Sequence, residues 1–301
     1  MLALALILDA ALGEPRLLWD RIPHPAVLMG RLVGWLDRGL NHGHGRRAKG
    51  TLALTGLILL SGSLGAILAA LPLIGPALEV LGAAILLAQR SLIEHVRDVA
   101  TALRQGLAEG RRAVSMIVGR DPETLDEAAT ARAAIESAAE NFSDGVVAPA
   151  FWFALAGLPG IAVYKAVNTA DSMIGHRTRR YEAFGWASAR FDDLLNLVPA
   201  RAAGWLICLA GGGWYAARVM RRDARRHKSP NAGWPESAMA ASLGLSLAGP
   251  RIYGGKVTPD PYLHPEGRAS ATPEDIEAAC RLLWRAWAAL LGLAALVWAL
   301  S

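Results

Sequence analysis

Residues 51–78 carry no ionisable side chain, and Glu79 is the only charge before Arg90. A helix needs about 20 apolar residues to cross about 30 Å of hydrocarbon. Residues 51–71 supply that length, residues 72–76 (PLIGP) read as a turn, and residues 77–93 are long enough to return. In lipid, backbone N–H and C=O groups have no partners but each other, so a helical hairpin is the expected outcome. Composition agrees: 53% of the 301 residues are hydrophobic and 19% are charged, against about 25% charged in soluble domains. The expected fold is all-α, a polytopic integral membrane protein with roughly four to five membrane segments, some broken or re-entrant, plus cytoplasmic amphipathic helices. One domain over residues 1–301 is expected.

Other features narrow the class. The N-terminal MLALALILDAALGEP has no basic start and no small-residue cleavage site, and it contains Asp9. It reads as a retained, partly inserted helix and not as a signal peptide. Cys208 and Cys280 lie far apart, which excludes a disulfide framework or a zinc pattern. With no nucleic-acid motif, the net charge of +5 points to basic loops facing an anionic leaflet.

Along the chain, residues 13–50 read as a loop region with seven Lys/Arg against three carboxylates. Residues 90–141 turn polar, and Leu92, Val96, Val99, Leu103 and Leu107 recur at helical spacing. That predicts a largely cytoplasmic helical region outside the lipid. Asp121-Pro122-Glu123-Thr124 reads as a helix start with Asp121 as N-cap. Residues 145–163 are apolar but interrupted by Pro149, Gly157, Pro159 and Gly160; residues 194–217 are interrupted by Pro199 and Arg201. Breaks at membrane depth are tolerated where the backbone is buried in protein or lines a cavity.

Residues 218–228 hold six Lys/Arg against one Asp, an inside marker. If both interrupted segments crossed once, residues 164–193 would face outward despite five Lys/Arg against four Asp/Glu. At least one is therefore expected to be re-entrant, which keeps residues 164–193 cytoplasmic. Farther on, Ala240, Gly244 and Ala248 lie four apart and would permit close helix contact. Thr272-Pro273-Glu274-Asp275 resembles a capping box, and the helix it opens runs into a last short span. Trp284, Trp287 and Trp298 suit interfacial belts.

Three polar groups stand against this apolar background. Glu136 and Glu140 share a helical face, with Asn141 and Asp144 continuing its edge; a metal or an arginine would relieve their repulsion, and a solvated acidic face fits equally. In YKAVNTADSMIGHR (residues 164–177), Lys165, Asn168 and Ser172 fall on one face with Asp171 close by. Ala166, Val167, Ala170, Met173 and Ile174 form the apolar side. A plain amphipathic helix fits the pattern, but a Lys/Asp pair at a membrane is a candidate functional site. Next come Arg177, Arg179, Arg180 and Arg190, suited to phosphate, then Asp192 and Asp193, with Asn196 four residues beyond Asp192. Carboxylates plus an amide oxygen fit magnesium, and an Arg190–Asp193 ion pair is the structural alternative. His24 and His176 read as structural. GPRIYGGK (residues 249–256) fails the phosphate-loop spacing, since Pro250 takes a glycine position and Val257 follows the lysine.

Taken together, LDAALGEPRLLWDRIPHPAVLMGRLVGWLD, IESAAENFSDGVVAPAFW, YKAVNTADSMIGHRTRRYEAFGWASARFDDLLNLVPAR and RDARRHKSPNAGWPESAMAASLGLSLAGPRIYGG resemble the adenosylcobinamide-phosphate synthase family. The likeness runs in order from Asp9 to about Gly255. Glu14 stands where the family usually has aspartate, and residues 90–132 match only in character. The resemblance implies a membrane ligase of the late cobalamin pathway. Such enzymes use ATP to join adenosylcobyric acid to (R)-1-amino-2-propanol phosphate. A carboxylate needs activation before it can form an amide, which calls for cations around phosphate, suspected Mg²⁺ with the ATP co-substrate, and a positioned neutral amine.

Within the matched blocks we assign Lys165, Asp171, Asp192 and Asp193 to catalysis and Asp144, Asp171 and Asp192 to metal, with Glu140 as a further acidic candidate. Lys165, Arg177, Arg180, Arg190 and Arg201 would hold ATP or the aminopropanol phosphate. Asn141, Asn168, Asn196, Asn231 and Glu236 would bond the corrinoid amides, and Trp186 or Trp234 would pack on the macrocycle. The expected partners are the corrinoid, the aminopropanol phosphate, ATP and the lipid bilayer, with self-association left open and no nucleic acid. The expected location is a bacterial inner membrane, multi-pass, with a cytoplasmic active site.

A polytopic transporter shares the broken segments, and a membrane signalling or scaffold protein shares the basic run. Consumption of ATP that depends on both corrinoid and amine separates the enzyme from both.

Overall fold

The computed structural model describes residues 1–118, 122–253, 256–258 and 260–300. In chain order the helices are α1 (Leu2–Leu12), α2 (Arg16–Trp19), α3 (Pro25–Leu40), α4 (Arg46–Ala69), α5 (Gly75–Leu86), α6 (Gln89–Gln105), α7 (Leu107–Val114), α8 (Glu127–Phe142), α9 (Ala148–Ile174), α10 (Trp186–Leu195), α11 (Leu197–Ile207), α12 (Gly213–Asp223), α13 (Gly233–Leu243) and α14 (Pro273–Leu300). Four short strands form two antiparallel pairs: β1 (Leu247–Ala248) with β4 (Tyr262–Leu263), and β2 (Arg251–Tyr253) with β3 (Lys256–Thr258). The fold is all-α in class.

Among the described residues four segments are long and apolar enough to cross a bilayer: Arg46–Ala69, Gly75–Gln105, Glu127–Ile174 and Pro273–Leu300. The pair Trp186–Leu195 and Leu197–Arg226, bent by 47°, is a broken fifth span or a re-entrant loop. Gly75–Gln105 has 31 residues, more than a span requires, so its polar second half, α6, has room outside the hydrocarbon. On α6, Val96, Val99 and Leu103 are buried together with Ile93 and Ala100, while Leu92 is only half-buried. The apolar face is real but rotated slightly from the expected stripe.

The chain divides into two compact units, each made of two stretches, where the sequence suggested one domain. The first holds residues 1–88 and 148–196; the second holds residues 89–147 and 197–301.

In the first unit α9 packs against α3, α4, α5 and α10. Val33, Ala53, Leu57, Ala166, Ala170, Ile174 and Phe184 form one cluster, and Leu54, Ala148, Tyr164, Val167, Ala187 and Leu195 another. A Cβ at Gly50 would collide with the Phe184 carbonyl, so glycine sets the closest approach of α4 to that loop. Helix α9 breaks at Ala156 and Gly157, where Gly157 takes φ 59°, ψ −151°, a region open to glycine. The restart at Leu158 leaves N–H groups without helical partners. Glu79, the lone charge of the apolar hairpin, accepts from the Leu158 N–H at 3.4 Å.

Several expectations are corrected here. Residues 13–50 are not simply a loop, because α3 spans sixteen of them, with Pro25 in its first turn and His24 as N-cap. Asp121 lies outside the described residues; Pro122–Thr124 is a single 3-10 turn, and α8 is capped instead by Asp126, which accepts from the Ala129 N–H at 2.7 Å. Ala240, Gly244 and Ala248 do not share a helix, since α13 ends at Leu243, Gly244 adopts φ 66° and Ala248 belongs to β1. Met173 is 38% exposed and not part of the apolar face.

In the second unit the start of α14 behaves as read. The Asp275 carboxylate accepts from the Thr272 N–H at 2.8 Å and from its hydroxyl at 3.1 Å. Cys208 and Cys280 are both buried free thiols.

Candidate active site

The second half of α9 and the facing α10 build the polar centre of the first unit. Ala166, Val167, Ala170 and Ile174 are buried, which leaves Lys165, Asn168 and Asp171 half-buried at the edge of the apolar face. From α10, Asp192 is 7% exposed. Asn168 Nδ2 donates to one of its oxygens at 3.3 Å, and Asn196 Nδ2 donates to the other at 2.9 Å. The buried Tyr164 hydroxyl donates to Asn196 Oδ1 at 3.0 Å, which fixes the orientation of that amide. The Asp192–Asn196 contact is the i, i+4 relation of the sequence, with the Asn196 N–H also closing α10 on the Asp192 carbonyl at 3.0 Å. Asp171 lies close enough to repel Asp192 electrostatically. Two amides therefore hold a carboxylate in place without neutralising it.

Around this pair the arginines separate by role. Arg190 reaches Asp193 at 3.9 Å, and Arg177 acts on the same carboxylate electrostatically. Arg180 is committed elsewhere: its guanidinium donates to buried Asp37 at 2.6 Å, and that hydrogen bond raises its pKa above the usual arginine range. Asn41 donates to Asp37 at 2.7 Å and to the Arg180 carbonyl at 3.1 Å, while Arg46 also donates to that carbonyl. Arg180 thus ties the loop after α9 to α3 and α4. The Arg47 guanidinium lies 3.6 Å from the Trp186 ring centroid, so one face of that ring is covered.

The loop ahead of α3 reaches the same neighbourhood. His24 Nδ1 accepts from the Ala26 N–H at 3.2 Å, and Nε2 sits 3.2 Å from the Ile85 carbonyl. Glu14 and Lys165 both act on this ring electrostatically. The EP and PHP segments therefore adjoin Lys165. Sequence reading took His24 as structural, which its bonding supports, but not as a neighbour of Lys165. Tyr164 was missed as an orienting group because it points off the Lys165 face.

The remaining candidates belong to the second unit. Glu140 and Asn141 are exposed at the end of α8, with Asn141 Nδ2 donating to the Ser137 carbonyl at 2.9 Å. Glu136 is buried and accepts from the Ala248 N–H at 2.8 Å, so a backbone donor meets this carboxylate. Asp144 is half-buried in the π-helical turn Ser143–Val147. Arg201 lies 4.6 Å from the Trp234 ring centroid. Asn231 and Glu236 are buried, and Glu236 sits 3.7 Å from His227 Nε2.

Among the described residues no three His, Cys, Asp or Glu side chains group closely enough to hold a metal ion by themselves. Magnesium does not need such a cage, since it takes one or two carboxylates and completes its shell with water and phosphate oxygens. Asp171 and Asp192 fit that reduced donor set. Asp144, also expected at the metal, lies in the other unit.

The family described as CobD/Cbib protein matches residues 2–283. A Cobalamin biosynthesis protein CobD of Rhizobium meliloti (strain 1021) is 53% identical over 306 residues, covering 95% of this chain and 92% of the relative. One of Brucella anthropi is 50% identical, covering 97% and 94%. One of Rhodobacter capsulatus is 49% identical, covering 100% and 98%. No solved structure matches the chain. The ordered blocks first noticed in the sequence and a match over nearly its whole length place this chain in the CobD/Cbib family.

Proposed function

We propose that this chain is an ATP-dependent amide ligase of cobalamin biosynthesis, an adenosylcobinamide-phosphate synthase. It joins adenosylcobyric acid to (R)-1-amino-2-propanol phosphate in a bacterial inner membrane, with its active site on the cytoplasmic side. Family membership and the names of its relatives support the pathway. The single structural observation that supports the chemistry is the Asp192 carboxylate, buried and held by Asn168 and Asn196 beside Asp171.

A carboxylate at neutral pH resists attack by an amine. Transfer of the terminal phosphoryl group of ATP to a substrate carboxylate oxygen breaks the bond from the γ-phosphorus to the β–γ bridging oxygen, releases ADP and gives an acyl phosphate. The amine nitrogen then forms the C–N bond, the C–O bond to phosphate breaks, inorganic phosphate leaves, and one proton departs from nitrogen. Asp192 and Asp171 would take that proton, because burial and a neighbouring carboxylate make a carboxylate more basic, an effect the two amide donors on Asp192 oppose. Lys165, Arg177 and Arg190 offset phosphate charge where it develops. Magnesium bound with ATP supplies further charge neutralisation on the phosphate oxygens. The apolar body of α9 holds these groups at the membrane.

The test is product formation by the detergent-purified chain given ATP, magnesium, adenosylcobyric acid and aminopropanol phosphate. Cobinamide phosphate should form only when all are present. ATP turnover indifferent to corrinoid and amine would overturn the reading.

A further inference from the structure

The basic run at residues 218–228 reads from sequence as a membrane-side marker, but in the fold four of its six cations are held by partners, and Arg218 points into the open as an exposed side chain. Arg222 and Arg226 pair with buried Asp223 at 2.7 and 3.2 Å, and Arg222 also reaches Glu266 at 2.8 Å. Lys228 pairs with Asp260 at 2.5 Å, and Arg221 lies 4.8 Å from the Trp205 ring centroid. Arg225 differs. Among the described residues no carboxylate pairs with it, and it lines an open cavity of about 330 Å³ with Arg201, His227, Ser229 and Trp234.

Among the described residues no carboxylate lines this cavity. Arg201 and Arg225 are close enough to repel, yet Arg201 is held there by a hydrogen bond to the Leu197 carbonyl and by stacking on Trp234. Ser229 Oγ accepts from the Asn231 and Ala232 N–H groups at 3.2 and 3.1 Å, which orients its hydroxyl at the rim. His227 Nδ1 accepts from the Ser229 N–H at 3.1 Å, so its proton sits on Nε2. The His227 Nε2–H faces buried Glu236 at 3.7 Å and is therefore engaged. Two guanidiniums held side by side, with the Ser229 hydroxyl at the rim, form a receptor for a compact dianion.

We infer that this cavity binds a small phosphomonoester. Its volume lies at the low end for ligand sites, too small for a macrocycle. A membrane phosphodiester offers one charge where two guanidiniums wait. The inference rests on the proposed ligation only in taking the phosphate of the amine substrate as the natural occupant. Arg225 and Ser229, with Arg201, are the groups that would hold it.

The experiment is calorimetric titration of the full chain, in detergent at low salt, with inorganic phosphate and with phosphoethanolamine. Wild type should bind both, and Arg225→Gln and Arg201→Gln should each weaken binding by about tenfold or more. Arg112→Gln, an exposed change on α7, should not alter it. The same titrations in nanodiscs of phosphatidylcholine alone, or with phosphatidylglycerol, separate the two sources of phosphate. Equal binding in both supports a soluble ligand, and loss of binding in the phosphatidylglycerol discs overturns it. In the ligation assay Arg225→Gln should raise KM for aminopropanol phosphate while kcat and KM for ATP stay near wild type. A chain that binds phosphate through Arg225 but forms no amide sinks the ligation and keeps the cavity. A ligating chain in which Arg225→Gln changes neither phosphate affinity nor that KM sinks the cavity alone.

Discussion

Asp192 in the first unit and Asp223 in the second are both buried carboxylates, and their surroundings are opposite. Asp192 is met by two neutral amides and lies near another carboxylate, Asp171. Asp223 is fully buried, pairs with Arg222 and Arg226, and accepts from the His264 N–H at 2.9 Å. A buried charge costs several kcal/mol unless it is paired. Asp223 spends its charge holding α12 to the segment that carries His264. Asp192 is oriented but not neutralised, so its charge remains available to a cation, a proton or a substrate. Structural and chemical carboxylates are told apart by what answers them, and burial alone does not do it.

The largest expected effect breaks this comparison most directly. Asp192→Asn keeps the shape and the Asn168 and Asn196 neighbours but removes the charge. Amide formation should fall by about a hundredfold or more, while thermal stability in detergent changes little, because removing an uncompensated buried charge offsets the loss of one of the two amide hydrogen bonds, an asparagine offering a single acceptor oxygen. A variant with near wild-type kcat would show Asp192 to be as structural as Asp223. Asp223→Ala should do the reverse to stability. It strands the His264 N–H and two arginines, and the loss is on the order of 2 kcal/mol, less than the about 3–5 kcal/mol of a fully buried pair because both arginines remain partly solvated. A denaturation midpoint unchanged from wild type would mean that water replaces the carboxylate at no cost.

The contrast also marks what a sequence reveals. The hairpin was legible because a charge-free run of that length has few other solutions. The Asp192–Asn196 pair was legible from its spacing of four, and the start of α14 from Thr272 and Asp275. These are local relations, decided within one or two helical turns. Helix α3 was hidden because His24 is an unusual cap and Gly30, Gly34 and Gly39 look loop-like, although Leu32, Leu36 and Leu40 carry a helical stripe. The roles of Glu79 and Arg180 were not legible at all. Each is fixed by a partner more than seventy residues away, Leu158 and Asp37, and no local pattern encodes such a meeting. The split into two units, each assembled from two distant stretches, belongs to the same class of long-range fact.

A smaller effect sharpens the view of the second unit as the place where charges are consumed by structure. Asp275 accepts from Thr272 and pairs with Arg268 at 2.7 Å. Asp275→Ala should cost about 1 kcal/mol, the usual magnitude for a lost helix cap. Asp275→Asn should recover part of it, because the amide oxygen still accepts from the Thr272 N–H. Hydrogen exchange over residues 272–279 checks this: faster exchange in the alanine variant, confined to the first turns of α14, is the expected pattern.

The smallest effect tests whether the first unit keeps its own neutral groups neutral. Burial lowers the His24 pKa, with Lys165 adding to that and Glu14 and the Ile85 carbonyl opposing it. In the neutral ring Nδ1 accepts from the Ala26 N–H while Nε2–H donates to Ile85. A second proton would land on Nδ1 and break the cap of α3. The unfolded chain, with a histidine pKa of about 6.5, therefore binds that proton more readily than the folded one. Stability is fully present above that value and declines as pH falls from it towards the lower folded value. His24→Asn preserves an N-cap oxygen for Ala26 and removes the titration, so its thermal midpoint should fall less than wild type between pH 7 and 5. Parallel slopes for the two chains would place the acid sensitivity elsewhere and remove His24 from the groups that depend on Lys165 and Glu14.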